Sequence, residues 1–369
     1  MADTDQVRSP PYSPAPGLDT PTLVVDLDVL DRNISAMAKH AESTGVRLRP
    51  HAKTHKCIEI AGLQIAAGTR GLTVATVSEA EVFAAAGFDD LFIAYPLWVD
   101  QAKGQRLRTL LENVQLTIGV DSPEGARAIA VHLAPLVERV QVLVEVDSGH
   151  HRTGVLPENA GELADIAGQA GLNVQGVFTF PGHSYAPGRP REVADQESQA
   201  LARAATSLRA VGIEPHVVSG GSTPSVKFSG GSPLTEIRPG VYVFGDAQQF
   251  ELGTCGPDEI ALTALATVVS QAHGNVVLDA GSKVLGADRP AWTTGFGRLL
   301  DHPDARISAV SEHHATVTWV DSPRPAIGDR VRVVPNHVCN TVNLADELVV
   351  VRGGEIVDRW SVAARGANT

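Results

Sequence analysis

The stretch Val140-Gln-Val-Leu-Val-Glu-Val-Asp147 shows the pattern that decides the fold of this chain. It is short and rich in valine, and a polar segment that ends in Arg152 follows it. Valine is enriched in β-strands, which are commonly about five or six residues long. The pattern therefore predicts a strand whose carboxyl end carries polar and ionisable side chains.

Similar strand-like runs recur along the chain, and most are separated by Ala-, Glu- and Leu-rich stretches typical of helices. The predicted strands are Val46–Arg49, Leu72–Thr76, Leu91–Tyr95, Gln115–Val120, Val140–Asp147, Val174–Phe180, His216–Ser219 and Gly240–Phe244. The predicted helices include one from a capping signal at Asp28–Asp31 to about Glu42, and those at Ser78–Ala86, Pro123–Leu133 and Glu192–Val211. Eight such repeats predict an α/β fold, a (β/α)8 TIM barrel over residues 27–251. A doubly wound open sheet fits less well, because no Gly-x-Gly-x-x-Gly motif follows the first strand.

Beyond residue 251 the sequence consists mainly of alternating runs rich in Val, Thr and Arg. The predicted strands there are Leu265–Ser270, Asn275–Leu278, Ile307–Val310, Ala315–Val320, Arg330–Val334, Leu348–Val351 and Glu355–Trp360. Gly353-Gly354 predicts a hairpin between the last two. These runs predict a smaller β-rich domain over residues 252–369, to which residues 20–26 add a strand. Residues 1–19, which are polar and contain several prolines, predict a disordered leader.

Composition and charge exclude several classes of partner. The 369-residue chain has a net charge of −12 and no basic stripe, which argues against nucleic acid and anionic membranes. No apolar run reaches the roughly 18 residues of a membrane helix, and the N-terminal segment lacks an apolar signal core. The three scattered cysteines suggest a reducing compartment. We therefore expect a cytoplasmic protein that acts on a small molecule.

Ionisable, hydroxyl and glycine residues concentrate where the predicted barrel strands end, and barrel enzymes place their active sites there. Lys53 follows the first of these strands, in Arg49-Pro-His-Ala-Lys-Thr-His-Lys56. Nearby positive charge and desolvation lower the pKa of a lysine towards the neutral form that makes an imine. A solvated surface lysine is the alternative. A metal site at His51 and His55 is less suited, because that spacing needs a helix and Pro50 predicts a strand-to-loop junction.

Two further strand ends offer groups for a phosphorylated cofactor. The segment Ser219-Gly-Gly-Ser-Thr223 follows the seventh predicted strand, where barrels often bind phosphate. Glycines there would let backbone N–H groups approach an anion, although a plain flexible loop explains the motif about equally well. Arg152 offers a guanidinium for the phenolate oxygen of a cofactor, and a surface arginine in a turn is the alternative.

A histidine and a cysteine near the C-terminal end form a candidate metal pair. His337 and Cys339 stand two residues apart in what we predict to be an extended segment, so both side chains would point the same way. A thiolate with an imidazole favours zinc over magnesium or manganese. Other residues, water or substrate would have to complete such a site. A half-buried cysteine beside a loop histidine is the alternative.

Together these motifs resemble the D-serine dehydratase / D-threonine aldolase family, which are enzymes dependent on pyridoxal 5′-phosphate (PLP) with the alanine-racemase-like fold type III. The resemblance covers nearly the whole chain from Thr20 onwards. The motifs that carry it are Arg49–Lys56, Gly182–Tyr185, Ser219–Pro224, Arg238–Gly240 and Pro335–Cys339.

The resemblance implies a role for each matching residue. Lys53 matches the lysine that forms a Schiff base with PLP, and Arg152 matches the arginine beside the cofactor's O3′. The remaining matches are His183 and Tyr185 beside the cofactor ring, Gly220, Gly221 and Ser222 in the phosphate loop, and His337 and Cys339 as the metal pair. The position of Arg238 corresponds to one that faces the pyridine nitrogen in racemases. A homodimer is also implied, with the site at the barrel mouth closed by the partner's β domain.

The function implied is a PLP- and metal-dependent lyase for β-hydroxy D-amino acids, with zinc preferred and manganese or magnesium open. Cys339 and Tyr95-Pro96 favour the D-serine dehydratase type, which converts D-serine to pyruvate and ammonia. Asn340–Leu344 is similar to the aldolase branch, so cleavage of D-threonine to glycine and acetaldehyde, with His183 as the base, is the alternative. A racemase would need a second acid/base and no metal, and a non-catalytic PLP carrier would lack the β domain.

Overall fold

The computed structural model describes residues 17–231, 233–320 and 323–369. Residues 1–16, most of the predicted leader, lie outside the described residues. Within the described part, Leu18 is already buried against Val24 and Val351. None of the described helices is both long and apolar enough to cross a bilayer.

Strand β1 (Thr22–Asp26) precedes a barrel of eight parallel strands. The barrel strands are β2 (Arg47–Leu48), β3 (Leu72–Val74), β4 (Asp90–Pro96), β5 (Gln115–Val120), β6 (Gln141–Glu145), β7 (Asn173–Phe178), β8 (Val217–Gly220) and β9 (Glu236–Ile237). Neighbouring strands pair in chain order from β3 to β9, and β9 pairs with β2. A parallel bridge between His51 and Thr73 joins β2 to β3. The predicted (β/α)8 architecture is therefore confirmed.

Helices cover the outside of the barrel. They are α1 (Leu27–Thr44), α2 (Ile58–Ala66), α3 (Val77–Ala85), α4 (Gln101–Asn113), α5 (Pro123–Leu133), α6 (Ala160–Gln169), α7 (Pro190–Ala210) and the short α8 (Ala247–Glu251). The cap of the first helix is Asp26, two residues before the predicted capping signal, because its carboxylate accepts the Val29 N–H at 3.1 Å. Gly45 ends this helix with a φ of 69°, which glycine adopts without a steric penalty.

The eighth barrel strand does not lie where the sequence predicted it. The strand is Glu236–Ile237, whereas the predicted segment Gly240–Phe244 contains a 3-10 turn over Val241–Val243. Pro239 precedes this segment and has no N–H to donate to a strand ladder. The apolar side chains of the turn are buried with residues of the β domain. The apolar pattern there reflects burial between the two domains.

The barrel interior is filled by aromatic and aliphatic side chains. Phe92, Leu143 and Phe178 form one buried cluster. The guanidinium of Arg238 lies 5.5 Å from the ring centre of Phe92 and 5.3 Å from that of Phe178. It also donates to the backbone oxygen of Thr179 at 2.6 Å. The interior is thus a packed core, as is usual in TIM barrels, and the buried Arg238 cation lies within it.

The C-terminal domain is a nine-stranded, mainly antiparallel sheet. Its strands are β1, β10 (Leu262–Ser270), β11 (Val276–Leu278), β12 (Gly297–Leu299), β13 (Arg306–Val310), β14 (Ala315–Thr318), β15 (Arg330–Pro335), β16 (Glu347–Arg352) and β17 (Glu355–Ser361), with the helices α9 (Ser282–Leu285) and α10 (Val338–Leu344) between them. Six strands, β10 to β15, close on themselves, because β10 pairs with both β11 and β15. As expected, β1 joins this sheet, between β10 and β16. The sequence pattern missed β12.

The chain returns to the barrel after β17. The N–H of Ala364 donates to the backbone oxygen of Lys56 at 3.0 Å, and the N–H of Ser78 donates to that of Thr369 at 2.8 Å. The side chain of Ala364 is buried in the barrel's hydrophobic cluster. The last residues of the chain therefore pack beside the segment that carries Lys53.

Candidate functional site

Lys53 lies in a 3-10 turn, Ala52–Thr54, which begins four residues after the end of the first barrel strand. Its amine makes no hydrogen bond within the described part of the chain, and it lies 5.6 Å from the ring centre of Phe180. Burial lowers the pKa of Lys53, and the nearby Arg152 and Arg238 cations lower it further, while Cys339 acts in the opposite direction. These are the surroundings of a neutral, nucleophilic amine.

Phe180 is the point on which several predicted residues converge. The guanidinium carbon of Arg152 lies 5.2 Å from the same ring centre as Lys53, and the ring of Tyr185 lies 6.4 Å away. Phe180 was not among the predicted site residues. The available signal was its position two residues after a barrel strand, but an aromatic residue there is just as typical of core packing. The geometry brings Lys53, Arg152 and Tyr185 together at one mouth.

Tyr185 contributes a neutral phenol to this mouth. Burial raises its pKa, and the negative charges of Cys339 and Asp246 raise it further, while a hydrogen bond with Thr223 lowers it. The Thr223 hydroxyl also accepts the N–H of Tyr242 at 3.2 Å. Tyr185 therefore lies between the loop that follows β8 and the cysteine of the β domain.

The surroundings of His183 determine which ring nitrogen carries its proton. Its Nε2 lies 2.9 Å from the Oε1 of Gln196, and the Gln196 amide nitrogen donates to Glu192 at 3.1 Å. Because the amide nitrogen is used there, the oxygen faces His183, and Nε2 must donate. This leaves Nδ1 as the basic nitrogen, and it is buried without a partner in the described part of the chain. The ring of His150 stacks at 6.4 Å from that of His183.

The predicted phosphate loop, Gly220 to Ser222, is ordered by bonds within the chain. The N–H of Gly221 donates to Oε1 of Glu197 at 2.6 Å, and the N–H of Ser222 donates to Oγ of Ser225 at 3.1 Å. Two of the backbone donors predicted for a phosphate are therefore already engaged. The hydroxyl of Ser222 lies 2.8 Å from that of Ser184, and both are buried. Hydroxyl groups are the donors that this loop offers to an anion.

The residues at the mouth fit PLP on three observations. Lys53 has an amine without a hydrogen-bond partner and with a lowered pKa. The ring nitrogens Nδ1 of His51 and His183 are buried and unpartnered among the described residues, as expected of groups that face a polar ligand. The hydroxyl of Ser222, on the loop proposed for phosphate, lies 2.8 Å from that of Ser184 in the turn after β7.

His337 and Cys339 lie together at the same mouth, although the backbone is not extended as predicted. His337 is the N-cap residue of α10, and Cys339 is the second residue of that helix. Strand β15 ends at Pro335 and α10 begins at Val338, so a tight strand-to-helix junction replaces the expected extended segment. The two side chains are nevertheless close enough for each to shift the pKa of the other.

The electrostatics of this pair suit a soft metal ion. Burial alone would raise the pKa of Cys339, but the charge and hydrogen bond of His337 outweigh it and lower that pKa. Burial would lower the pKa of His337, but Cys339 and Asp246 raise it well above its usual value. The described residues contain no cluster of three or more metal-ligating side chains. Two protein ligands, one thiolate and one imidazole, would leave positions for water or substrate.

Asp246 is a site residue that sequence reasoning missed. Its buried carboxylate accepts the Nδ1–H of His337 and the N–H of Val338, both at 3.1 Å. It also accepts the N–H of Gln249 at 2.8 Å and so caps α8. Metal-binding histidines usually donate their second ring nitrogen to such a carboxylate, which leaves Nε2 free for the metal. The contact spans 91 positions in the sequence, so no local motif could reveal it.

The chain's own β domain supplies the cysteine beside Lys53. The Sγ of Cys339 lies 3.4 Å from the Oγ1 of Thr54. In this chain, α10 of its own β domain reaches the mouth that the resemblance expects the β domain of a partner subunit to close. Lys53, Arg152, Tyr185 and Cys339 therefore meet at one mouth of this chain, and the charge of Arg238 reaches Lys53 from the barrel interior.

Comparisons with known proteins agree with this fold. A family model described as "Alanine racemase, N-terminal domain" matches residues 25–248, and a serine dehydratase domain model matches residues 261–351. D-threo-3-hydroxyaspartate dehydratase from Delftia sp. (strain HT23) is 35% identical over 88% of this chain and 92% of that protein. D-threonine aldolase from Arthrobacter sp. is 36% identical over 96% of this chain and 95% of that protein.

Solved structures give the same relationship. The crystal structure of D-threonine aldolase from Filomicrobium marinum has a TM-score of 0.87 and 33% identity, and the match covers 95% of this chain and 97% of that chain. A D-threo-3-hydroxyaspartate dehydratase in the metal-free form, a cysteine-to-alanine variant, has a TM-score of 0.86 and 32% identity, covering 94% and 97%. Both a dehydratase and an aldolase therefore share this fold with the chain.

Proposed function

Because this chain belongs to the D-serine dehydratase / D-threonine aldolase family of alanine-racemase-like enzymes, we propose that it is a PLP- and metal-dependent lyase for β-hydroxy D-amino acids. The observation that carries the proposal is the contact between Cys339 and Thr54 beside Lys53. It puts a candidate metal ligand next to a candidate imine-forming lysine. A substrate whose amino group replaced that of Lys53 on PLP would then present its β-hydroxyl near the metal pair.

Each residue at the mouth has a part in holding PLP. Lys53 would bind it through the amine, Arg152 would donate to its phenolate oxygen, and Tyr185 would pack beside its ring. The hydroxyl of Ser222 in the Gly220–Ser222 loop, together with that of Ser184 in the turn after β7, would hold its phosphate. Bound PLP supplies an electron sink for bond cleavage at Cα, and the protein contributes orientation and proton transfer. The amine of Lys53 is the group at the mouth best suited to take the Cα proton, because burial holds it towards the neutral form.

His337 and Cys339 would hold the metal ion, for which zinc is the preferred identity. A metal there would act as a Lewis acid on the β-hydroxyl and help it to leave. Support comes from the dehydratase relative, for which a cysteine-to-alanine variant and a metal-free form coincide in one solved structure. Asp246 would fix the tautomer of His337 so that Nε2 can bind the metal.

We propose that the reaction is dehydration of the D-serine type, with pyruvate and ammonia as products from D-serine. Support comes from the cysteine at position 339 and from the dehydratase among the relatives. Cleavage of D-threonine to glycine and acetaldehyde is the second candidate, and one observation favours it. The free Nδ1 of His183 is a base without a partner in the described part of the chain, and such a base could take the β-hydroxyl proton. We also propose that the protein forms a homodimer and that it is cytoplasmic.

Absorbance spectroscopy and reductive trapping test the cofactor. The purified protein incubated with PLP should develop an imine absorbance band, and borohydride should attach the cofactor to Lys53, as peptide mass spectrometry would show. A Lys53→Ala variant should lose both signals. Lys39→Ala is the matched control, because Lys39 is exposed on α1. A colourless parent protein without an adduct at Lys53 would refute the proposal.

Product analysis distinguishes the dehydratase reaction from the aldolase reaction. D-serine, D-threonine and D-threo-3-hydroxyaspartate would each be supplied with and without a chelator. Keto acid and ammonia support the dehydratase, whereas glycine and an aldehyde support the aldolase. A His183→Asn variant should abolish aldolase activity while leaving elimination from D-serine largely intact. Turnover that resists chelation would refute the role of the metal pair.

A further inference from the structure

A buried glutamate on α7 accepts hydrogen bonds from the loop that is proposed to hold the PLP phosphate. Oε1 of Glu197 accepts the N–H of Gly221 at 2.6 Å, and Oε2 accepts the hydroxyl of Ser229 at 3.3 Å. The glutamate is fully buried. It therefore ties the beginning of the segment between β8 and β9 to a point eight residues further along that segment.

Glu197 also explains why glycine stands at position 220. A Cβ built on Gly220 would lie 2.3 Å from Oε1 of Glu197. This oxygen is held by the Gly221 N–H, so it cannot withdraw without losing that bond. Gly221 itself has a φ of 79°, which side-chain-bearing residues rarely adopt. The pair of glycines thus serves the contact with the glutamate, in addition to any close approach of an anion.

The loop held in this way presents a cluster of serine hydroxyls. Oγ of Ser222 lies 2.8 Å from Oγ of Ser184 and 2.8 Å from Oγ of Ser225. Ser184 comes from the turn after β7, so the cluster joins two separate strand ends. Because Gly221 is the neighbour of Ser222, a shift of Gly221 would separate Ser222 from Ser184. The geometry of the hydroxyl cluster depends on the contact with Glu197.

We propose that Glu197 is the positioning residue of the phosphate site, which holds Ser222 beside Ser184 by fixing the N–H of Gly221. The inference rests on the proposed function, since it concerns the phosphate of PLP. Burial raises the pKa of Glu197 to about 7, although the hydrogen bond from Gly221 and the charge of Arg238 both lower it. The acid is thus readily protonated near neutral pH, which reduces its repulsion of a bound phosphate.

The test compares PLP with pyridoxal, which lacks the phosphate. Dissociation constants for both would be measured by absorbance titration for the parent, Glu197→Gln, Glu197→Leu and the control Asp195→Asn. Asp195 is an exposed acid on the same helix. Glutamine keeps the acceptor for Gly221, so its PLP affinity should stay within about threefold of the parent's. Leucine removes the acceptor, and loss of a buried hydrogen bond should weaken PLP about tenfold or more while pyridoxal affinity stays unchanged.

Several outcomes would overturn the inference. One is a leucine variant that binds PLP as tightly as the parent, and another is an equal loss of affinity for PLP and pyridoxal, which would indicate a general structural role. A parent that binds neither ligand would instead refute the proposed function, and this inference with it. These failures are distinguishable because the parent's spectrum is recorded first.

A double-mutant cycle keeps the inference testable if Glu197→Leu does not fold. Gly220→Ala should weaken PLP binding about tenfold or more in the parent, because the new Cβ displaces the glutamate. In a Glu197→Ala background the same change should cost much less, since the opposing oxygen is gone. Losses that simply add would show that the two residues act independently and would overturn the inference.

Discussion

The Sγ atom of Cys339 lies 3.4 Å from the Oγ1 atom of Thr54, although the two residues are 285 positions apart in the sequence. Thr54 follows Lys53, and Cys339 stands two residues after His337. Folding therefore unites the end of the first barrel strand with the start of α10. The arrangement would let one small substrate reach the Lys53 amine and the proposed metal pair at the same time.

Replacement of Cys339 should weaken metal binding without weakening PLP binding. Cys339→Ala should lose most of its bound metal, because one of two protein ligands is removed, and β-elimination should fall about 100-fold or more. The imine band at Lys53 should persist, since no hydrogen bond joins Cys339 to that amine. Metal analysis and steady-state kinetics would check this. Cys255→Ala is the control, and a Cys339→Ala protein with parental metal content would contradict the assignment.

Asp246 should control metal affinity through His337. Asp246→Asn weakens the acceptor for Nδ1–H, and loss of such an outer partner usually lowers metal affinity about 10- to 100-fold. Asparagine keeps an oxygen for the cap of α8, so the fold should survive. Competition with a chromophoric chelator would give the affinity. The exposed Asp258→Asn serves as the control, and unchanged affinity in Asp246→Asn would argue against a metal at His337.

Much of the barrel could be predicted because its signals are local. Short valine-rich runs placed the first seven barrel strands, and the polar residues at their ends, among them Lys53 and Arg152, meet at one mouth. The prediction of the eighth strand was wrong because the strand has only two residues, Glu236–Ile237, which are too few to show a sequence pattern. The apolar run Gly240–Phe244 was wrongly preferred because burial between domains also produces apolar runs.

The support around the site could not be predicted, because it depends on contacts across the fold. Glu197 reaches Gly221 from the middle of a helix that is otherwise amphipathic and reads as an ordinary surface helix. Asp246 looks like a helix cap, which it is, and only the folded chain reveals that it also holds His337. A residue that acts through another residue leaves no spacing signature of its own.

The buried acid Glu197 should make stability depend on pH. Its pKa is raised by burial from 4.5 to about 7 in the folded chain. Above pH 7 both the folded and the unfolded states are deprotonated there, so the folded state carries the full cost of a buried charge. As the pH falls from about 7 to about 4.5, only the folded state takes up the proton, so stability rises.

The Glu197→Gln variant lacks this buried charge. Its gain in unfolding free energy over the parent should be largest near pH 8 and should shrink towards pH 5, because only the parent regains stability there. Urea unfolding at both pH values would measure it, with Asp195→Asn as the control that shows no such trend. A stability difference that is equal at both pH values would contradict a titrating Glu197.

Lys56 links the turn that carries Lys53 to three other parts of the chain. Its Nζ donates to Oδ1 of Asn343 at 2.8 Å and to Oδ1 of Asn368 at 2.9 Å, and it lies 3.3 Å from Oε1 of Glu79. The residue is buried, and its φ of 50° is unusual for a residue other than glycine. Such a conformation persists only where the surroundings impose it. The bonds of Lys56 therefore hold α10, α3 and the chain's last residues beside the turn that carries Lys53.

Removal of the Lys56 charge should be costly, because Glu79 then remains buried without its cation. Lys56→Met should lower the free energy of unfolding by about 3 kcal/mol, the usual effect of breaking a buried ion pair. Adding Glu79→Gln should restore part of that loss, since the orphaned charge is removed. Denaturant unfolding would measure both variants, with the exposed Lys39→Met as the control. A double variant less stable than Lys56→Met would show that Glu79 contributes through other contacts, such as its bond from the Ala75 N–H at 2.6 Å, more than through Lys56.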